Sequence, residues 1–333
     1  MTTTNIASPT AKPDQAYLHR LDDVAFQPIF IMGDHRSGTT LLYQLLELSK
    51  SFNPITTYHI IMYDELLANH IAGQTAAAKQ RLSQRFDTLG LTDRKIDGVQ
   101  VTPDLTEEYG FMLHGAGQRP HITPANLDFF TEVCRKVQFI SDPDKPLLLK
   151  NPWDFFMNFA YVKRCFPQSR FIFLSRHPTR IINSQMKAMR SVFAQRNDYI
   201  ALIAEWYAPT WDNPLRLAMS RFVFSSHLDM GYRLAWTHVW RAIRYLLREM
   251  PAIPPSDYIS VRYEDLCQTP NQTIGSIMDF LKLQPQVALD YETFINVRQS
   301  PLLPEVEKRK HKIARQFAAY YEKFGYEVEG ADY

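Results

Sequence analysis

Residues Gly33-Asp34-His35-Arg36-Ser37-Gly38-Thr39-Thr40 hold two glycines, three hydroxyls and a cation in one short stretch. They follow the apolar run Pro28-Ile29-Phe30-Ile31-Met32 and precede the amphipathic Leu41-Leu42-Tyr43-Gln44-Leu45-Leu46. That order predicts a buried strand, a Gly-bounded loop and a helix N-terminus. Such a loop aims backbone N–H groups and the positive end of a helix dipole at an anion, usually a phosphate. The G-x-x-x-x-G spacing matches an ATP-binding loop, but Thr39 stands where that motif needs Lys. The cation lies inside the loop, at Arg36. This displacement points away from ATP and toward a donor with a single 5′-phosphate.

Arg36-Ser37-Gly38-Thr39-Thr40-Leu41 resembles the 5′-phosphosulfate loop of the sulfotransferases, which use 3′-phosphoadenosine-5′-phosphosulfate (PAPS) as sulfuryl donor. The Arg form is most similar to the protein-tyrosine and carbohydrate branches and their bacterial relatives. The resemblance implies that Arg36, Ser37, Gly38, Thr39 and Thr40 hold the 5′-phosphosulfate end of PAPS. It also implies that Arg176, in Arg176-His177-Pro178, and Ser184, eight residues on, bind the 3′-phosphate. The guanidinium offers a planar fork to phosphate oxygens and the hydroxyl adds a short donor. Val261-Arg262-Tyr263-Glu264-Asp265-Leu266 looks like a third family element, whose Tyr263 would contact adenine; a structural Tyr at a strand end is the plainer alternative. Glu264 is expected to cap the following helix. A 3′-phosphate site beside a 5′-phosphate loop specifies PAPS, with 3′-phosphoadenosine-5′-phosphate (PAP) as product and no metal.

Sulfuryl transfer to a hydroxyl is an in-line displacement, catalysed mainly by positioning and electrostatics. Arg36 is the expected stabiliser of the leaving phosphate and the bridging oxygen. Lys150, followed by Asn151-Pro152, resembles the Lys-x-Pro element whose Lys assists the leaving group. A general base must reach the acceptor hydroxyl. The tyrosine branch uses a Glu just after the second strand; the comparable place here holds Thr56-Thr57-Tyr58-His59. His59, ordinarily titrating near neutrality, is therefore the expected base. Asp64 and Glu65 are the runners-up, and a satisfied core histidine is the plain alternative. Departure from Glu counts against a tyrosyl-peptide acceptor. His35 is placed to contact donor oxygens. Ser300 and Lys308 lie where relatives close a C-terminal loop over the nucleotide.

These groups need a frame. Strands are expected at Pro28–Met32, Pro54–Thr57, Pro146–Lys150, Arg170–Ser175 and Tyr258–Tyr263, alternating with helices. Helices are expected near 41–49, 60–67, 76–89, 155–166, after Pro178, and across 272–281 and 305–324. Residues 92–124 read as an irregular lid or substrate loop. The alternation predicts an α/β fold: a P-loop NTPase-like central parallel sheet flanked by helices, with a helical aromatic-rich insert. In that insert Trp206, Tyr207, Trp211, Phe222 and Phe224 suit an apolar acceptor pocket, or plain core. Residues 1–25 read as a loose arm, and 26–333 as one sulfotransferase domain.

The chain has 333 residues, 45% of them hydrophobic, enough for a large core, and a formal charge of +2. That near-neutral balance makes no electrostatic case for nucleic acid. Three scattered cysteines imply no disulfide framework, and no zinc-ligand spacing occurs. Without a leader or a membrane span, the expectation is a cytoplasmic enzyme with a small-molecule hydroxyl acceptor (an alcohol, phenol, lipid or natural product); a homodimer is open. A P-loop nucleotide kinase or NTPase is the enzyme alternative, but it needs a Lys at position 39 and a strand-ending Asp where Ser175-Arg176 stand. A nucleotide-binding module without chemistry is the other, against which Arg36 and Lys150 argue.

Overall fold

The structure, a computed structural model, describes residues 12–91, 99–197, 200–201, 207–225, 229–295 and 301–327. Five strands, β1 (Pro28–Met32), β2 (Asn53–Pro54), β3 (Leu147–Lys150), β4 (Arg170–Ser175) and β5 (Tyr258–Arg262), form one sheet. All pairings are parallel, in the order β2-β3-β1-β4-β5. Phe30 of β1 lies opposite Leu149 of β3 on one side and Phe171 of β4 on the other. Helices α1 (Thr39–Leu48), α2 (Thr57–Ile61), α3 (Leu66–Ile71), α4 (Thr75–Thr88), α5 (Tyr109–Gly115), α6 (Leu127–Phe139), α7 (Pro152–Phe155), α8 (Phe159–Cys165) and α9 (Pro178–Ala194) follow in turn. A long helix, Met230–Glu249, comes later. This is the parallel α/β sheet that strand–helix alternation predicts.

Successive side chains of a strand face opposite sides, and both sides are covered here, so the strands are apolar throughout. Phe30, Met32, Leu147, Leu149, Phe171 and Phe173 enter one core with α5, α6, α8, α9 and the long helix. Ile29, Ile31, Leu148, Ile172 and Leu174 enter the other, against α1 and the helix Pro270–Leu281. Arg36 to Thr40, Lys150, Arg176 and Tyr263 end or follow strands β1, β3, β4 and β5 at the carboxyl edge of this sheet. In open α/β sheets that edge, where strand order reverses about β1, is where ligands bind.

Two expectations are corrected, and a third is settled between its alternatives. Residues 13–21 are not a loose arm but a 3₁₀ helix, tied down by a buried ion pair between Asp14 and Lys136 of α6 at 3.0 Å. The segment 92–124 is not irregular throughout, since α5 lies within it; residues 92–98 lie outside the described residues. In the insert, Tyr207 is buried with its hydroxyl against the Val192 and Gln195 carbonyls, and Phe224 stacks on Phe193. Those rings build core against α9 instead of facing the loop, and Trp206 lies outside the described residues. No helix among the described residues is long and apolar enough to cross a membrane.

Candidate functional site

The loop between β1 and α1 is closed from within. Asp34 receives the Ser37 backbone N–H at 3.1 Å and the Ser37 hydroxyl at 2.8 Å on its carbonyl, and the His35 N–H at 2.7 Å on its carboxylate. Ser37 therefore shapes the loop with its side chain. Gly38, at the N-cap of α1, has φ +101°, and a Cβ there would lie 2.1 Å from the Tyr263 ring. At Gly33 a Cβ would meet the Thr39 methyl at 2.6 Å and the Leu174 carbonyl at 3.1 Å. Only glycine fits either place. Arg36 adopts φ 70°, the left-handed region that a non-glycine residue occupies at a cost, typically where function requires it. The first-turn N–H groups of α1 have no intrahelical acceptor and open toward the loop.

Distant residues converge on this loop. Arg36 Nε donates to Ser184 Oγ of α9 at 3.2 Å, and Arg176 Nη1 donates to the Arg36 carbonyl at 2.8 Å. The Arg176 guanidinium lies over the Tyr263 ring, 4.1 Å from its centroid, an arrangement that fixes both groups. Burial and the Cys267 thiol push the Tyr263 hydroxyl up to about 12. Among the described residues, buried Arg176 Nε has no hydrogen-bond partner. A buried donor left unpaired costs stability unless something bound satisfies it, and an oxyanion fits. The backbone behind Arg176 is anchored: its N–H donates to Tyr320 Oη, and the next N–H, of His177, donates to the Glu264 carboxylate. Glu264 thus supports this corner from the side.

On the other flank Lys150, nearly fully buried at the end of β3, donates to Thr40 Oγ1 at 3.0 Å and pairs with Glu108 at 2.9 Å. Glu108 immediately precedes α5. Its acid neighbours a helix start in the segment expected to be irregular, and the adjacent Glu107-Glu108 pair was the signal available to find it.

His59 is corrected. Its Nδ1 accepts the Thr56 backbone N–H at 3.1 Å, capping α2, and burial pushes its pKa down to about 3. A ring so committed is a helix cap, not a base for an acceptor. The runners-up fare no better: Asp64 pairs with Lys12 at the surface, and Glu65 receives Asn69 Nδ2 at 3.2 Å beside Arg81. His35 faces the loop mouth with its ring edge-on to Trp153, centroids 5.3 Å apart. Burial lowers its pKa, with Glu108 and Asp34 opposing and His238 and Lys150 adding to the fall. Residues 301–310 strap onto α9: Leu303 N–H donates to Asn183 Oδ1 at 2.8 Å, one position before Ser184, and Glu305 pairs with Arg190. Lys308 belongs to that strap; Ser300 lies outside the described residues.

A family model described as "Sulfotransferase family" matches residues 28–287. Sulfotransferase STF9 from Mycobacterium avium aligns with a TM-score of 0.64 at 16% identity, over 95% of this chain and 81% of that one. Sulfotransferase STF1 from Mycobacterium tuberculosis H37Rv aligns with a TM-score of 0.56 at 16% identity, over 92% and 80%. No curated protein matches the sequence.

Proposed function

The chain belongs to the sulfotransferase family, and from that premise we propose that it moves a sulfuryl group from PAPS to the hydroxyl of a small molecule, releasing PAP. The observation that carries this is the contact of Arg36 with both Ser184 and Arg176 around a glycine-bounded loop. Two cationic groups side by side suit a nucleotide phosphorylated at two positions. Arg36, Gly38, Thr39 and Thr40 would hold the 5′-phosphosulfate end, with Ser37 closing the loop beneath it. Arg176, through its buried Nε, and Ser184 would hold the 3′-phosphate, and Tyr263 would face the adenine.

Chemistry on such a donor needs little covalent participation from the protein. Charge must be neutralised on the equatorial oxygens and the departing phosphate, by donors already in place. Arg36 and Lys150 are those donors. Lys150 is held at Thr40 and balanced by Glu108, so its orientation is set before any ligand arrives. Of the acceptor classes, an alcohol or phenol on an apolar frame fits best, because exposed Trp153 and half-buried Phe156 flank the loop mouth.

Calorimetric titration with PAP, without metal, beside ATP with Mg²⁺ tests the donor. Binding of PAP alone is expected. Preference for ATP with Mg²⁺ would move the chain to the kinases.

A further inference from the structure

With His59 a cap, sulfuryl transfer to a hydroxyl still requires a group to take the acceptor's proton. Such a group needs an open lone pair at the loop mouth and a partner to hold it in one tautomer. The long helix Met230–Glu249 supplies one. His238 Nε2 lies 2.8 Å from Asp34 Oδ1, and the Phe156 ring stacks flat on the imidazole, centroids 4.3 Å apart at 11°. Asp34 is itself nearly fully buried and held by the loop through three hydrogen bonds. Its carboxylate accepts from Nε2–H, which leaves the lone pair on Nδ1. Among the described residues Nδ1 has no hydrogen-bond partner, and the side chain is 27% exposed.

We propose that His238, held by Asp34, is the general base of the reaction and that the acceptor hydroxyl binds at its Nδ1. The proposal rests on the sulfuryl-transfer reading above. As the acceptor oxygen forms its bond to sulfur, the bond from sulfur to the 5′-phosphate oxygen breaks, and His238 Nδ1 takes the hydroxyl proton. Asp34 balances the imidazolium, PAP and the sulfate ester leave, and the proton passes to solvent. Glu108, the other acid at the mouth, is the counterion of Lys150; a proton taken there would leave that buried cation uncompensated. The groups facing the dyad are His35, whose ring centroid is 6.2 Å from that of His238, and, around His35, Glu108 and Lys150.

Acceptors of different acidity separate a base from a structural residue. The probes, assayed at pH 8, are 4-nitrophenol, largely ionised there, and 2-naphthol, which is not. His238→Gln should slow 2-naphthol sulfation about a hundredfold or more, the usual contribution of a general base, and 4-nitrophenol sulfation only severalfold. PAP affinity, measured calorimetrically, should stay at the wild-type value and report that the variant is folded; His238→Asn serves as a second variant. Asp34→Asn should give the same acidity-dependent pattern with a smaller loss, as a positioning residue. Equal losses on both phenols would overturn the proposal, as would an acidity-dependent loss in Glu108→Gln and not in His238→Gln. A wild-type protein that binds PAP yet sulfates neither phenol nor a primary alcohol would overturn the hydroxyl-acceptor reading, and this base with it. Failure to bind PAP would overturn the donor reading instead.

Discussion

A single histidine illustrates how residue type and residue role part company. His59 stands at the position and carries the ring that acid–base chemistry calls for, yet its Nδ1 is spent on the Thr56 N–H. His59→Ala should therefore cost about 1 kcal/mol of stability, the usual worth of a helix cap, and leave kcat unchanged. Thermal denaturation beside a sulfation assay measures both; a collapse of kcat at unchanged PAP affinity would restore His59 as the base. At Arg176 the outcome should be ligand-selective. Arg176→Ala is expected to weaken PAP binding strongly while barely altering binding of adenosine 5′-monophosphate, and equal losses would sink the 3′-phosphate assignment. For Lys150→Ala the loss should appear mainly in kcat, on the order of a hundredfold or more, as for removal of one preorganised donor. Lys150 and Arg176 could be found from the sequence because each ends an apolar run, where a parallel sheet delivers its chain to the ligand edge. Glu108 and His238 end no such run.

The elements around these residues are set by local physics in some places and by burial in others. Gly38 is a local case, since its φ of +101° already disfavours any side chain, and the Tyr263 ring adds a clash from across the chain. Gly38→Ala should strain the loop by about 1–3 kcal/mol and reduce PAP affinity well beyond any loss of global stability. The N-terminal 3₁₀ helix is a burial case. Residues 13–21 look polar and Pro-interrupted, but Asp14 pairs with Lys136, and each side chain is only 2% exposed. Breaking a buried pair from one side leaves an uncompensated charge, so Lys136→Met should destabilise the fold by about 3–5 kcal/mol. Denaturant unfolding checks this, with Asp14→Asn/Lys136→Met expected to recover part of the loss. Helix α5 has no clear sequence signature for a related reason: it is short, and Glu108 at its N-cap makes no side-chain cap hydrogen bond.

For the whole molecule the consequence of one sheet with two covered faces is that a ligand at its carboxyl edge touches elements of both cores. The loop leads into α1 on one face, and Ser184 sits on α9 on the other. PAP should accordingly stabilise the sheet and both of its cores together, by about 2.7 kcal/mol at a hundred times its Kd. A rise in Tm with PAP and none with ATP and Mg²⁺ is the expected calorimetric result. Residue order alone determined the parallel sheet and the glycine-bounded loop after its first strand, because apolar runs, glycines and strand-ending cations act within a few residues of one another. Which side chains surround that loop was decided by tertiary structure. Arg36 and Ser184 are 148 residues apart, Asp34 and His238 are 204, and no local pattern marks which such pairs will meet. Helices packed on a sheet covered on both faces bring them together, and packing, not spacing, decides which imidazole stands beside Asp34.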